Sequence, residues 1–343
     1  MKILYITLGY NPCGGVRILV EHLNRLTERG HSCSMVALTG ETSLTWMPTN
    51  FKIISPEKAA RVAKKADVVV ATEANTMSVV MDLDTKARKY LFCQMRESLF
   101  FWRTNQEWAL GVEEVYAQAK GILHPIVISQ WLKDFFEDEY GYEDVPIVPN
   151  GVNTEMFWPD RLGATTWMPA SGIHTGHKPR LLIEGHGKNE AKDIHNMSYQ
   201  VVDIYRQHVQ PVELWGFSQY VPTGEWDKYW VLPSQEEIRQ IYSSCDVLVK
   251  ASRYEGRSCV DPEAMACGCA VVRAIDTGDD DLIDGHNCLK VKYGDAQGMY
   301  DNLKRVLEDE ALRKRLVENG LKYVKEHLGW DDKIDALEAA YAT

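Results

Sequence analysis

The sequence predicts two α/β domains, each a doubly wound parallel sheet, joined by a hinge. Three observations predict it. At 343 residues the chain exceeds what one hydrophobic core of ordinary size organises, so two domains are expected. Each half alternates short β-rich runs with stretches of helical periodicity, the pattern of parallel strands linked by crossover helices. Between the halves lie VPNGVNTEMFWPD and then GATTWMPASGIHTGHKP, which is rich in Gly, Pro, Ser and Thr, lacks periodicity and reads as a connection. The expected divisions are residues 1–150, a hinge over 151–178, and a second domain over 179–329.

Composition narrows the class. With 45% hydrophobic and 25% charged residues the chain reads as a soluble globular protein. No apolar run approaches the length of a membrane span, and MKILYITLGYNP lacks the basic segment, apolar core and cleavage site of a signal peptide. The amino terminus therefore reads as a first strand and the protein as cytoplasmic. The net charge of -11 falls mostly on the second half, and without a basic tract nucleic acid is not an expected partner. A near-neutral first half leaves weak peripheral docking to an anionic membrane face open, although KAARVAKKA at 58–66 reads first as a solvated helix face. The eight cysteines are scattered among apolar and glycine positions and read as reduced. Cys267 and Cys269 have no second pair at zinc spacing, so no metal is expected.

The first half opens with the strand KILYIT, a glycine turn, and VRILVEHLNRLTERG, where Ile18, Leu19, Leu23 and Leu26 fall at helical spacing before Gly30 ends the helix. Strand-like runs recur at SCSMVAL, ADVVVAT, KYLFC and the stretch ending PIVIS. In the second half RLLIEG, PVELWG, KYWVLP, CDVLVKAS and CAVVRA are the strand candidates. Ser234 and Glu237 form a capping box at the start of EEIRQIYSSC. Two open α/β sheets of this kind are expected to face each other across a cleft, with ligands beyond the carboxyl ends of their strands.

Glycine turns at those strand ends are therefore the places to look for chemistry. GYNPCGGVRI puts Gly14 and Gly15 between strand and helix, where positive φ, close approach and a helix amino terminus favour an anion. A purely structural turn fits as well, since the spacing matches neither the dinucleotide nor the P-loop pattern. RYEGRSCVDPEAMACGCAVV is richer. Its strand ends at Ser252, the turn carries Glu255, Gly256, Arg257, Ser258 and Cys259, and Glu263 is expected about two turns into a helix that Gly268 terminates. Amides of Arg257, Ser258 and Cys259 at the helix start would meet phosphates, with a carboxylate at each end for hydroxyl groups. That suits a nucleotide diphosphate sugar. A surface Glu263 and a loop charge at Glu255 are the structural alternative.

The chain resembles a family 4 retaining glycosyltransferase of the GT-B fold. The resemblance is carried by Glu255, seven residues, Glu263 and the small-residue helix after it, with PCGGVRILVEHLNRLTERGH, VISQWLKDFF, VPNGVNTEMFWP and GDDDLIDGHNCLKV along the chain. It implies transfer of a sugar from a nucleotide diphosphate sugar to a glycan, lipid-linked or small-molecule acceptor, with retained configuration and no metal or other cofactor. It also implies that the last helix, 330–343, crosses back onto the first, acceptor-side domain. Glu255 would contact the donor sugar and Glu263 the ribose. Basic groups for the diphosphate would fall at His186 and Lys192, with Lys188 competing, and Arg257 stands where the family often carries an aromatic residue. Gln94 stands where many members have a histidine near the sugar; with Glu97 it is similar to a rhamnosyltransferase-like branch, and capping a strand is its structural alternative. Trp102 and its aromatic neighbours in SLFFWRTNQEWAL either line an acceptor site or pack in the core or between the domains. His124, in an apolar run, reads as a buried, satisfied group.

Two rivals stand beside transfer. Paired carboxylates also cleave glycosides, but glycine turns at parallel strand ends fit hydrolysis poorly. A non-catalytic nucleotide-sugar or glycan-binding protein is the other, and the departures at His186 and Gln94 support it.

Overall fold

The computed structural model describes residues 1–159, 178–185, 193, 196–220 and 224–342. Residue contacts divide the chain into two compact units, Met1–Asn150 with Asp331–Thr343, and Gly151–Trp330.

The first unit runs β1 (Lys2–Thr7), α1 (Gly14–Glu28), β2 (Ser32–Ala37), β3 (Lys52–Ile54), α2 (Ala59–Ala63), β4 (Val68–Ala71), α3 (Ala74–Asp82), β5 (Arg88–Cys93), α4 (Ser98–Phe101), α5 (Gln106–Ala119), β6 (His124–Val127) and α6 (Gln130–Asp134). Its sheet has the order β3-β2-β1-β4-β5-β6, and every pairing is parallel. The order reverses between β1 and β4. Central strands of such a sheet are covered on both faces and read as unbroken apolar runs, which is why β4 is Val-Val-Val-Ala and wholly buried. α1 buries Ile18, Leu19, Leu23 and Leu26 and gives way to Gly30 at φ +88°, a conformation that favours glycine. His124 is exposed at the start of β6, with its ring tilted against Tyr90 at 5.6 Å. This corrects its reading as a buried group: Leu123 and Pro125 on either side are buried, and the His124 side chain alone turns outward.

The second unit runs β7 (Arg180–Glu184), α7 (Met197–His208), β8 (Glu213–Ser218), β9 (Lys228–Val231), α8 (Gln235–Ser244), β10 (Val247–Ser252), α9 (Val260–Ala266), β11 (Ala270–Ile275), β12 (Leu289–Val291), α10 (Ala296–Glu308) and α11 (Glu310–His327). Its order, β12-β11-β10-β7-β8-β9, repeats the first plan and reverses between β7 and β10. One face packs Val201, Val202, Leu303 and Leu316 from α7, α10 and α11 against Leu181, Val247, Val249 and Val272. The other packs Ile241 and Tyr242 of α8, Ala264 and Met265 of α9, and Val152 and Phe157 against Leu182, Leu248 and Val271. Residues 151–159, placed with the hinge by sequence, thus begin as part of this core.

α12 (Asp331–Ala342) returns to the first unit. Tyr341 and Tyr5 share a buried hydrogen bond of 2.6 Å. Arg29 pairs with Asp335 at 2.5 Å and Glu338 at 2.8 Å, and His31 Nε2 reaches Glu338 at 2.6 Å. Among the described residues no helix is long and apolar enough to cross a membrane.

Candidate functional site

Ligands of open α/β sheets sit where the strand order reverses, beyond the carboxyl ends of the strands. In the second unit that place holds a cavity of about 130 Å³, lined among others by Glu184, Asp193, Tyr199, Trp226, Lys250 and Ser252. The ends of β7 and β10 supply its base, and the first turn of α7 its side. Tyr199 and Trp226 meet at 5.5 Å between ring centroids.

The turn after β10 carries Glu255, which is 8% exposed. Ser252 Oγ donates to its Oε1 at 2.9 Å. Lys250 Nζ lies 3.5 Å and Arg273 Nη2 4.0 Å from the same oxygen. The backbone of Glu255 is fixed as well. Its N–H donates to Thr277 Oγ1 at 3.4 Å, and Thr277 Oγ1 donates to its carbonyl at 3.2 Å. Gly278, at φ +75°, packs so closely that a Cβ there would lie 2.3 Å from the Glu255 carbonyl oxygen.

Glu263 is 5% exposed, which removes the reading of a surface helix charge. It stands one turn into α9, not two, because the helix starts at Val260 with Cys259 as its cap. Ala264 and Met265 bury against the sheet, and Gly320 of α11 lets that helix approach Met265 closely. Gly256 and Ser258 are buried in the turn, while Cys259 is half-buried. The Ser258 amide already donates to the Gly278 carbonyl, at a long 3.4 Å.

Arg257 neither faces solvent nor stands open for a phosphate. Its Nε and Nη2 donate to the two carboxylate oxygens of Asp281 at 2.7 and 2.5 Å, and Tyr323 donates to Asp281 at 3.3 Å. A planar guanidinium matches a carboxylate in this bidentate way better than any other cation. The Asp-rich run at 279–281 supplies the partner.

The charged groups that sequence reasoning passed over lie beneath the turn. Lys250 on β10 and Arg273 on β11 are register partners, 2% and 0% exposed. Lys250 Nζ donates to Glu184 at the end of β7. Arg273 Nε stands 3.1 Å from Asp261 Oδ2 on α9, and burial pushes the Asp261 carboxyl up, partly offset by Arg273. Their signal in the sequence is a single charge inside each of the apolar runs VLVKAS and AVVRAI, with Glu184 closing the apolar part of RLLIEG. Interior strands rarely hold unpaired charge.

His186, Lys188 and Lys192 lie outside the described residues. Beside them, Asp193 takes the start of α7. Its carboxylate accepts from the amides of Met197 and Ser198 at 2.7 and 2.8 Å and from Ser198 Oγ at 2.6 Å. The same hydroxyl accepts from the Ala251 amide at 2.8 Å. A side chain of the protein thus meets the helix dipole that a phosphate would otherwise meet. Burial raises the Asp193 pKa.

In the first unit Gly14 and Gly15 open α1, and Gln94, just past β5, donates to the Gly15 carbonyl at 3.3 Å. Glu97 accepts from the Ala74 amide at 3.2 Å and from the Tyr116 hydroxyl. Burial, reinforced by Glu73 and Glu113, pushes its carboxyl up to about 8. Trp102, at the end of α4, is 46% exposed, so it is not core. Among the described residues no group of three or more His, Cys, Asp or Glu is placed to hold a metal ion.

Residues 179–309, all within the second unit, match the family model described as Glycosyl transferases group 1. An uncharacterized glycosyltransferase, MJ1178 of Methanocaldococcus jannaschii, is 29% identical over 233 residues, or 63% of this chain and 58% of that protein. The chain thus spans less than two thirds of that relative. Among solved structures, HepE of Anabaena in complex with UDP and glucose superposes with a TM-score of 0.76 at 14% identity, over 100% of this chain and 99% of that one. Sucrose-phosphate synthase of Thermosynechococcus elongatus gives 0.75 at 16%, over 100% and 98%. These likenesses show the fold, which is GT-B.

Proposed function

We propose that the chain is a glycosyltransferase that moves a sugar from a nucleoside diphosphate sugar to a hydroxyl of a glycan, lipid-linked or small-molecule acceptor, with retention of anomeric configuration. One observation carries the reading. Within a segment of the group 1 family, Glu255 is held by its backbone and by Ser252, Lys250 and Arg273 beside the place where the strand order reverses.

Breaking the bond between sugar and phosphate develops positive charge on the sugar and negative charge on the leaving diphosphate. Groups fixed before the reaction stabilise such charge without reorganising. Glu255 orients the sugar hydroxyls, and Glu263 accepts from the ribose. With Arg257 committed to Asp281, the cation for the diphosphate is to be sought among His186, Lys188 and Lys192. The leaving phosphate oxygen takes the proton that the acceptor hydroxyl gives up as its oxygen bonds to the anomeric carbon. In this reading Gly14 and Gly15 serve the donor and Gln94 acts with Glu255 on its sugar, while Glu97 and Trp102 serve the acceptor.

The test is release of free nucleotide from a panel of nucleotide sugars. UDP-glucose comes first, because HepE was solved with it. Glu255→Gln should lower turnover about 100-fold or more, as expected when a group that orients the reacting sugar is lost. If no donor binds or turns over, or the variant equals the parent, the assignment fails.

A further inference from the structure

Five charged groups, Glu184, Lys250, Glu255, Asp261 and Arg273, come together under the turn after β10. Stability does not account for them. Buried ion pairs are often replaced by apolar residues of similar volume at no loss, and here two cations occupy interior strand positions that elsewhere in the same strands hold Val, Leu and Ala. What distinguishes the cluster is its convergence. Lys250 and Arg273 approach the one Glu255 oxygen that Ser252 also holds, and Lys250 at the same time lines the cavity.

We propose that Lys250, backed by Arg273 and anchored by Glu184, is a positioning residue that fixes the Glu255 carboxylate for the donor sugar. The proposal rests on the reading of Glu255 as the group that orients that sugar. Lys250 acts through Glu255: its ammonium spans from Glu184 to Glu255 and so couples the end of β7 to the turn after β10. A donor bound there meets a carboxylate whose rotamer is already set, and no part of the ordering is left to the moment of binding.

The experiment is a double-mutant cycle of Lys250→Met and Glu255→Gln, read as nucleotide release at saturating and at limiting donor. Lys250→Met is expected to lower kcat about 100-fold while donor KM stays within about threefold of the parent, the split that marks lost transition-state alignment. In the Glu255→Gln background Lys250→Met should cost nothing further, since a residue acting through another shows no independent effect. Where Lys250→Met alone does not fold, Lys250→Met/Glu184→Gln removes a cation together with its anion and takes its place in the cycle. A folded Lys250 variant with parental kcat overturns the proposal, and so do losses that multiply across the cycle. If Glu255→Gln is itself as active as the parent, the functional reading falls first. If Glu255→Gln lowers turnover as expected and the losses multiply, only the role of Lys250 falls.

Discussion

Gly278→Ala tests whether the backbone of Glu255 is held from the loop after β11. A Cβ at Gly278 would lie 2.3 Å from the Glu255 carbonyl oxygen and 3.0 Å from its Cβ, where ordinary contact begins at 3.4 Å. The turn must therefore retreat by about 1 Å, a displacement that at a reacting centre costs about 100-fold in rate. The φ of +75° adds a separate penalty of roughly 1 kcal/mol for any residue with a Cβ. Gly285 separates the two effects: its φ is +70° and nothing stands within 4 Å of its Cβ position. Gly285→Ala should lose only the backbone term, with turnover unchanged. Gly278→Ala should lose a further 1–3 kcal/mol or so, as overpacking against fixed backbone does, and about 100-fold in nucleotide release. Urea unfolding and donor turnover of the two variants, side by side, decide it. Equal activity of both would refute the claim that this contact places Glu255.

Three further predictions follow from particular contacts. Glu97 titrates near 8 in the fold against 4.5 unfolded, so its contribution is fully present below about 4.5 and is lost as pH rises through about 8. Stability of the first unit should fall by up to about 1.4 kcal/mol per pH unit across that window. Glu97→Gln should flatten the slope, and parallel melting curves of parent and variant from pH 5 to 8 would exclude it. Arg257→Met leaves Asp281 buried without its cation and should cost about 3 kcal/mol, whereas Arg257→Met/Asp281→Asn should recover stability with donor turnover near parental. A turnover loss in the paired variant that survives recovery of the melting temperature would return Arg257 to the phosphates. Gly151→Ala would put a Cβ 2.5 Å from the Trp330 ring and should cost about 1–3 kcal/mol, readable as a lowered melting temperature; an unchanged one would show that the ring yields.

Much of the fold is legible in the sequence because parallel strands covered on both faces leave long apolar runs, such as ADVVVAT and CDVLVKAS. β3 and β12 escape it, since each spans three residues and no periodicity can be read over so short a stretch. The capping box at Ser234 and Glu237 is local, and both halves of it form. Glu255 and Glu263 stand out by their spacing around one turn. Lys250 and Arg273 do not, because what gives them meaning is a partner far along the chain: Glu184 lies 66 residues from Lys250. Arg257 illustrates the same limit over a shorter span. Its neighbours in sequence suggest a phosphate, while Asp281, 24 residues on, takes both arms of its fork.

The return of α12 to the first unit governs how the molecule can be taken apart. Ile334, Leu337 and Tyr341 are buried there, so a polypeptide stopping at residue 150 would expose the surface they cover and lose the shorter of the two hydrogen bonds of the Tyr5 hydroxyl. A single cut therefore yields no intact first unit. Circular permutation does offer one. The amino group of Met1 contacts His31, which holds Glu338 of the returning helix, so residues 331–342 moved ahead of Met1 through a flexible linker would make that unit continuous in sequence, and it could be studied without the second unit.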